Sequence, residues 1–182
     1  MKKSKKRSLK KGASKRKGSQ FERVVAKLLD KYWKVPEHTF WRTPLSGGWH
    51  EAGDIASRDR SVWFPFIIEC KSYKSFDLVQ HLSRPDTIKL FKWWTQVKRD
   101  SEKAKQQGRP LNTCIPLLII KINNVPVLCA FNYTQLPAVN FKNQPFFELV
   151  VSGDNICLCT IESFMQLYNR ELLEEKLLNA TD

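Results

Sequence analysis

The stretch FIIECKSYK, from Phe66 to Lys74, places two charges directly after a strongly apolar start. Its first three residues favour β structure and predict a buried strand. Successive side chains of a strand alternate between faces, so Glu69 and Lys71 lie on the same face. Such a pair is either a surface ion pair of little energetic weight or part of a catalytic site, and the spacing alone leaves both open.

The order of predicted elements indicates an α/β domain around one central sheet. Apolar residues at helical spacing predict three helices, over residues 19–33, 86–108 and 162–178. Apolar runs predict strands, at residues 38–43, 62–71, 114–121, 125–131, 145–152 and 155–160. The last two strands read as a hairpin or two edge strands around Gly153 and Asp154. We therefore predict a mixed sheet flanked by helices.

Positive charge is concentrated at the N terminus. The formal net charge is +13, and ten Lys and Arg without any acid lie between Lys2 and Lys17. We predict a disordered basic arm over residues 1–17 and a single domain over residues 18–182. The arm is a phosphate-contacting element, a solubilising tail or a nuclear address. Under the first of these alternatives, the DNA-contacting residues include Lys10, Lys11, Lys15, Arg16 and Lys17.

Cysteine usage and hydropathy indicate a soluble protein that is not exported. No apolar run reaches the roughly 18 residues of a membrane span. Five cysteines, mostly inside apolar runs, predict buried reduced thiols. Cys157 and Cys159 form a C-x-C without a second ligand pair, so we do not expect zinc. We expect a cytoplasmic location, or one with the nucleic acid of a host cell, and no membrane contact.

Asp54 in the stretch GDIA is the candidate partner of Glu69. An Asp after Gly is commonly turn chemistry. If its segment pairs antiparallel with the strand that ends near Lys71, however, Asp54 approaches Glu69. Two carboxylates together are an oxygen-ligand site for Mg²⁺, and Lys71 then holds or deprotonates the attacking water.

Glu22 supplies a third carboxylate on the first predicted helix. Ser19 and Glu22 have the spacing of a capping box, in which the Glu side chain bonds back to the Ser backbone amide. The local sequence leaves capping and metal binding both open.

Three segments in order resemble a known family: KGSQFERVVAKLL, WRTPLSGGWHEAGDIA and FIIECKS. They are similar to the archaeal-type Holliday junction resolvases of the PD-(D/E)XK nuclease superfamily, over about residues 17–72. In that family a helix Glu precedes an R-x-x-x-S-G loop, an Asp and an E-x-K. The resemblance implies a restriction-endonuclease-like core and makes residues 18–182 a single nuclease domain.

The resemblance also implies site roles. The divalent metal, Mg²⁺ with Mn²⁺ as a substitute, is surrounded by Glu22, Asp54 and Glu69. Lys71 stands at the attacking water, which completes the catalytic set. Near the scissile phosphate lie Arg42 and Ser46. Gln96 sits on the helix behind the site, with a solvent-facing position as the alternative.

The expected function is that of a Mg²⁺-dependent endonuclease acting on Holliday or other branched DNA in recombination and repair. The alternatives are a restriction-like or repair nuclease on duplex or flap DNA, and a non-catalytic basic DNA-binding protein. A resolvase is expected to be a homodimer. Its interface is expected near residues 125–131 or on the final helix. For the aromatic cluster of the second helix, Phe91, Trp93 and Trp94, core packing is favoured over base stacking.

Overall fold

The computed structural model describes residues 13–43, 52–75, 89–141 and 144–178. The helices of this part are α1 Ala13–Tyr32, α2 Lys89–Gln106, α3 Ile161–Leu167 and α4 Arg170–Leu173, which continues as a π-helical turn Glu174–Leu178. The strands are β1 Phe40–Arg42, β2 Ile55–Ser57, β3 Phe66–Tyr73, β4 Ile115–Ile122, β5 Leu128–Asn132, β6 Phe146–Val151 and β7 Asp154–Thr160. Short 3₁₀ turns lie at Leu111–Thr113 and Tyr133–Gln135.

The described strands form one sheet in the order β1-β2-β3-β4-β5-β7-β6. Only β3 and β4 pair in parallel among these strands, and the other neighbours are antiparallel. A parallel pair needs a crossover, and α2 lies within the connection between the two strands. The predicted mixed sheet with flanking helices is therefore confirmed.

Both faces of β3 are covered. Phe66, Ile68 and Cys70 belong to the core that packs against α1, α3 and α4. Ile67, on the alternate face, belongs to a second core built with α2. Because the strand is buried on both sides, its start reads as a continuous apolar run rather than an alternating one.

Helix α1 begins earlier than the sequence indicated. It starts at Ala13, so Ser19 lies inside the helix and not at its cap. The predicted start at Ser19 was wrong because Lys and Arg are good helix formers and extend the helix through Lys15–Lys17. The capping-box alternative for Glu22 is thereby removed. Of the basic arm, residues 1–12 lie outside the described residues.

Helix α2 agrees with its predicted end and its predicted packing. It ends at Gln106, and Gly108 follows with a φ of +86°, a conformation that favours glycine. Trp93 and Trp94 are buried, so core packing is confirmed for both, whereas Phe91 is partly exposed. The proposed starting cap, Asp86, lies outside the described residues.

The C-terminal region differs from its prediction in two ways. The β6–β7 hairpin turns at Ser152 and Gly153, both with positive φ, so Asp154 is the first residue of β7 and not part of the turn. The predicted single final helix was wrong, because the chain breaks after α3 and restarts with Asn169 as a cap. The Asn169 side chain accepts a 2.9 Å hydrogen bond from the Leu172 amide.

Burial also bears on the other predictions. All five cysteines are free and buried, as predicted. Within the predicted interface segment 125–131, Cys129, Ala130 and Phe131 are fully buried in β5 between β4 and β7, whereas Val125 is exposed. In the described part of the chain, no helix has the length and apolar character needed to cross a bilayer.

Candidate active site

The charged pair of β3 is locked into a triangle by α2. Lys71 Nζ donates to Glu69 Oε1, and it also donates to Gln96 Oε1 at 3.0 Å. Gln96 Nε2 donates to Glu69 Oε1 at 2.9 Å. Each side chain therefore bonds to both of the others. Gln96 is half-buried in this position, so the solvent-facing alternative does not hold.

Asp54 is brought to this triangle by the antiparallel pairing of β2 with β3. Ile55 is in register with Ile68, and the Asp54 amide donates to the Ile68 carbonyl at 2.6 Å. Asp54 Oδ2 accepts a 2.8 Å hydrogen bond from the Cys70 amide. The antiparallel pairing on which the predicted approach of Asp54 to Glu69 depended is thus present. It sets Asp54 beside the strand that carries Glu69.

The approach of β2 to β3 depends on Gly53. Its φ is +86°, and a Cβ built there would lie 2.7 Å from the Ile68 carbonyl oxygen. No side chain fits at that distance, so only glycine allows this approach. Thr43 fixes the other side of the segment, since its hydroxyl donates to the Gly53 carbonyl at 2.7 Å. Sequence reasoning missed Thr43, because a Thr after a strand carries no distinguishing signal.

Burial and charge perturb the titration of the site. Asp54 and Glu69 are 7% and 4% exposed. Burial first, and then the nearby charge of Asp54, raise the pKa of Glu69 to about 7 in spite of the Lys71 ammonium. Burial and the surrounding carboxylates likewise raise the pKa of the Cys70 thiol well above its usual value. Cys70 is therefore held as a neutral thiol and is not a nucleophile.

Glu22 approaches from the other face of the sheet. It lies on α1, and its Oε2 accepts a hydrogen bond from Arg42 Nε. Among the described residues, no group of three or more His, Cys, Asp or Glu side chains is arranged to hold a metal ion. The structure thus brings together Asp54 and Glu69, but it holds Glu22 on Arg42 and not in one metal-binding set with them.

Two carboxylates still fit a hard divalent cation. Mg²⁺ keeps several waters and is commonly bound by one or two carboxylates together with substrate phosphates. Asp54 and Glu69 supply two such carboxylates, and both are buried. Burial first, and then the neighbouring charge of Asp54, raise the pKa of Glu69, and a bound cation would offset both effects.

The remaining predicted residues are more distant or not described. Lys15, Arg16 and Lys17 are exposed on the first turns of α1. Lys17 Nζ donates to Asn123 Oδ1 at 3.4 Å, beside the turn between β4 and β5. The predicted DNA-contacting residues that fall outside the described residues are Lys10, Lys11 and Ser46.

A buried acid beside an acid–lysine pair on the central strand of a mixed sheet is the candidate active site of a nuclease. The sequence profile of the family described as "Phage putative PDDEXK endonuclease" matches residues 13–175. The chain belongs to this family, and the resemblance to the PD-(D/E)XK superfamily is confirmed.

The other comparisons add little. No curated protein matches the sequence. Among solved structures, Hjc from Archaeoglobus fulgidus, a Holliday junction resolvase, is similar at 13% identity and a TM-score of 0.34. The similarity covers 84% of this chain and 95% of that one. At this identity and score it does not bear on the substrate.

The titration of Glu69 predicts a pH-dependent stability of the metal-free protein. The folded state holds this proton more tightly than the unfolded chain, so the resulting stabilisation is complete below the ordinary pKa of 4.5 and is lost as the pH rises through about 7. Glu69→Gln mimics the protonated form. We expect it to be more stable than the native chain at pH 8, by on the order of 3 kcal/mol, and similar to it at pH 4.5.

Urea unfolding in EDTA across this pH range measures the difference. Glu102→Gln, which removes an exposed carboxylate on α2, is the matched control and should follow the native curve. Parallel stability curves for the native chain and Glu69→Gln would contradict the raised pKa.

Proposed function

We propose that the protein is a Mg²⁺-dependent endonuclease that hydrolyses phosphodiester bonds in branched DNA, with four-way junctions as the preferred substrate. Mn²⁺ is expected to substitute for Mg²⁺. The observation that carries the proposal is the triangle of Glu69, Lys71 and Gln96 beside the buried Asp54. Membership in a family of PDDEXK endonucleases supports the same chemistry.

Each residue has a role in the proposed hydrolysis. Asp54 and Glu69 would hold the cation, which when bound supplies positive charge against the attacked phosphate and lowers the pKa of a nearby water. Lys71, fixed by Glu69 and Gln96, donates a hydrogen bond to the attacking water and so orients its lone pair toward phosphorus. The water oxygen bonds to phosphorus and loses a proton to solvent, the bridging P–O bond breaks, and the leaving oxygen takes up a proton from solvent. Gln96 acts by keeping the Lys71 ammonium in place.

Two other functions remain as alternatives. A restriction-like or repair nuclease on duplex or flap DNA would use the same residues on a different substrate shape. A non-catalytic basic DNA-binding protein is less consistent with the site. Burying Asp54 and Glu69 together is costly, and placing them where a polyanion binds weakens binding, so a purely binding protein gains nothing from them.

Isosteric removal of the acids tests the chemistry. Asp54→Asn keeps an oxygen acceptor for the Cys70 amide but removes the charge, and Glu69→Gln does the same beside Lys71. We expect each variant to lose cleavage by at least about 100-fold while DNA binding is kept or improved. The control is Glu175→Gln, an exposed acid in the C-terminal turn. Undiminished cleavage by Asp54→Asn, or full native activity in EDTA, would contradict the proposal.

The same assay resolves the substrate. Matched four-way, flap, duplex and single-stranded DNA are each incubated with the native chain and Mg²⁺, and initial rates are compared. We expect the four-way junction to be cut fastest. Equal rates on duplex DNA would favour the restriction-like alternative, and binding without any cleavage would favour the non-catalytic one.

We infer that Glu22 acts as a positioning residue for Arg42 and not as a metal ligand. Glu22→Gln weakens the charge-assisted bond that holds the guanidinium, so the KM for DNA should rise several-fold. The Mg²⁺ concentration for half-maximal rate should stay unchanged, because Asp54 and Glu69 are intact. A Mg²⁺ titration at several DNA concentrations separates the roles. A large increase in the Mg²⁺ concentration for half-maximal rate, with the KM for DNA unaltered, would show instead that Glu22 is a metal ligand.

We further propose that the active assembly is a homodimer, since resolving a near two-fold junction requires paired cuts. Strand β6 is at the edge of the described sheet, and it exposes Phe146, Phe147 and Val150. Pairing of β6 with the same strand of a second copy would cover both the open edge and these side chains. The C-terminal helical segment is the alternative interface.

Sedimentation tests the assembly. We expect the native chain to be a dimer and Val150→Lys, which places a charge on the exposed edge strand, to be largely monomeric. Lys121→Glu, an exposed change on β4, is a control that should stay dimeric. A native chain that is monomeric both free and on junction DNA would overturn the dimer.

A further inference from the structure

A cavity of about 310 Å³ lies along β1, at the edge of the sheet, and we call it the β1-edge cavity. It opens between α1, β1, the residue His38 before β1 and the residue Arg58 after β2. The residues that line it are Arg23, Ala26, Lys27, Asp30, His38, Phe40, Trp41, Arg42 and Arg58.

The charges of this cavity are strongly unbalanced. Arg23, Lys27, Arg42 and Arg58 contribute four cations, of which Arg42 is paired with Glu22, and Asp30 contributes the single carboxylate of the lining. Arg23, Lys27 and Arg58 form no salt bridge within the described part of the chain. The cavity is therefore electropositive before any ligand arrives.

The carboxylate of Asp30 does not neutralise these cations by pairing. Its Oδ2 accepts from the His38 amide at 2.9 Å, and its Oδ1 accepts from the Phe40 amide at 2.8 Å. Both oxygens are thus occupied in holding the start of β1 to α1. Asp30 is also buried, so it presents little negative surface to a ligand.

The cations come from two elements. Arg23 and Lys27 are four residues apart on α1, so their side chains project from the same face about 6 Å apart along the helix axis. The Arg58 guanidinium carbon lies 5.0 Å from the centre of the Trp41 ring, a cation–π contact that limits its motion. An anion bound here is met by cations from α1 and from the residue that follows β2.

The cavity adjoins the candidate active site. Arg42 lines it and also bonds Glu22, and Glu22 directly precedes Arg23 on α1. Arg42 is also in register with Ile55, the neighbour of Asp54, so the cavity and the candidate site meet along β1 and β2.

We propose that the β1-edge cavity binds one backbone phosphate of the DNA strand, on one side of the scissile phosphate, through Arg23, Lys27 and Arg58. The proposal rests on the proposed function in taking DNA as the substrate and Asp54 and Glu69 as the place of cleavage. The contact fixes which phosphate along the strand reaches Asp54 and Glu69, so it sets the register of cleavage.

A binding cycle tests this contact in the absence of cleavage. The full chain is titrated in EDTA with junction DNA, either unmodified or carrying a neutral methylphosphonate at one position near the cut. We expect one position at which the methylphosphonate weakens native binding about tenfold, the loss of one charge-assisted contact. Arg58→Gln should weaken binding to unmodified DNA by a similar factor. It should also flatten the plot of log affinity against log salt by about 0.9.

The decisive result is non-additivity. In Arg58→Gln, the methylphosphonate at that position should have little further effect, whereas at other positions its effect should match the native value. Lys27→Gln should repeat the pattern if Arg58→Gln folds poorly. Lys176→Gln removes one exposed charge in the C-terminal turn and serves as the control. Effects that multiply at every position, or an Arg58→Gln variant that binds like the control, would overturn the proposal.

The outcome is separable from that of the proposed function. If the non-additive binding is observed but no DNA is cut, the phosphate site is supported and the nuclease proposal fails. If the native chain cuts DNA, but Arg58→Gln and Lys27→Gln bind DNA like the control, only the phosphate-site proposal fails.

Discussion

The close approach of β2 to β3 is the constraint on which the candidate site depends. Gly53 lets the backbone pass within van der Waals range of Ile68, and the Cys70 amide then reaches the Asp54 carboxylate. A bulkier residue at this point would push β2 outward and separate Asp54 from Glu69. Glu69 would still pair with Lys71, but the two neighbouring carboxylates that suit a divalent cation would be lost.

Keeping these charges on a buried strand requires support from both cores. The two faces of β3 are covered by α1, α3 and α4 on one side and by α2 on the other, and β4 pairs along its whole length. Ionised Glu69 is unfavourable in this environment, as its raised pKa shows. The surrounding packing, together with the bonds to Lys71 and Gln96, keeps the Glu69 carboxylate in this buried position.

Local patterns predicted part of this arrangement. Strand alternation placed Glu69 and Lys71 on one face, and the apolar run before them located the central strand. The position of Asp54 followed only if its segment paired antiparallel, which the sequence could not decide. The bond between Glu22 and Arg42 could not be predicted, because it depends on how α1 lies across β1. Gln96 was ambiguous for the same reason, since the rotation of α2 against the sheet is set by tertiary packing.

Charge runs and helix ends were less informative. The density of Lys and Arg indicated disorder up to residue 17, yet the same residues have high helix propensity and α1 includes Lys15–Lys17. In the C-terminal region, the continuous apolar periodicity hid the break that Asn169 caps.

The parallel pairing of β3 with β4 has a consequence for how the enzyme comes into being. Phe66 is in register with Ile115, and all of α2 lies between them along the chain. The strand that carries Glu69 and Lys71 is thus completed only after a long loop has closed, and such non-local contacts form slowly. A growing chain on the ribosome therefore lacks the neighbour that completes the strand of the candidate site until β4 has emerged. The charges of Glu69 and Lys71 are therefore enclosed by the finished sheet late, although the two residues are neighbours on one strand.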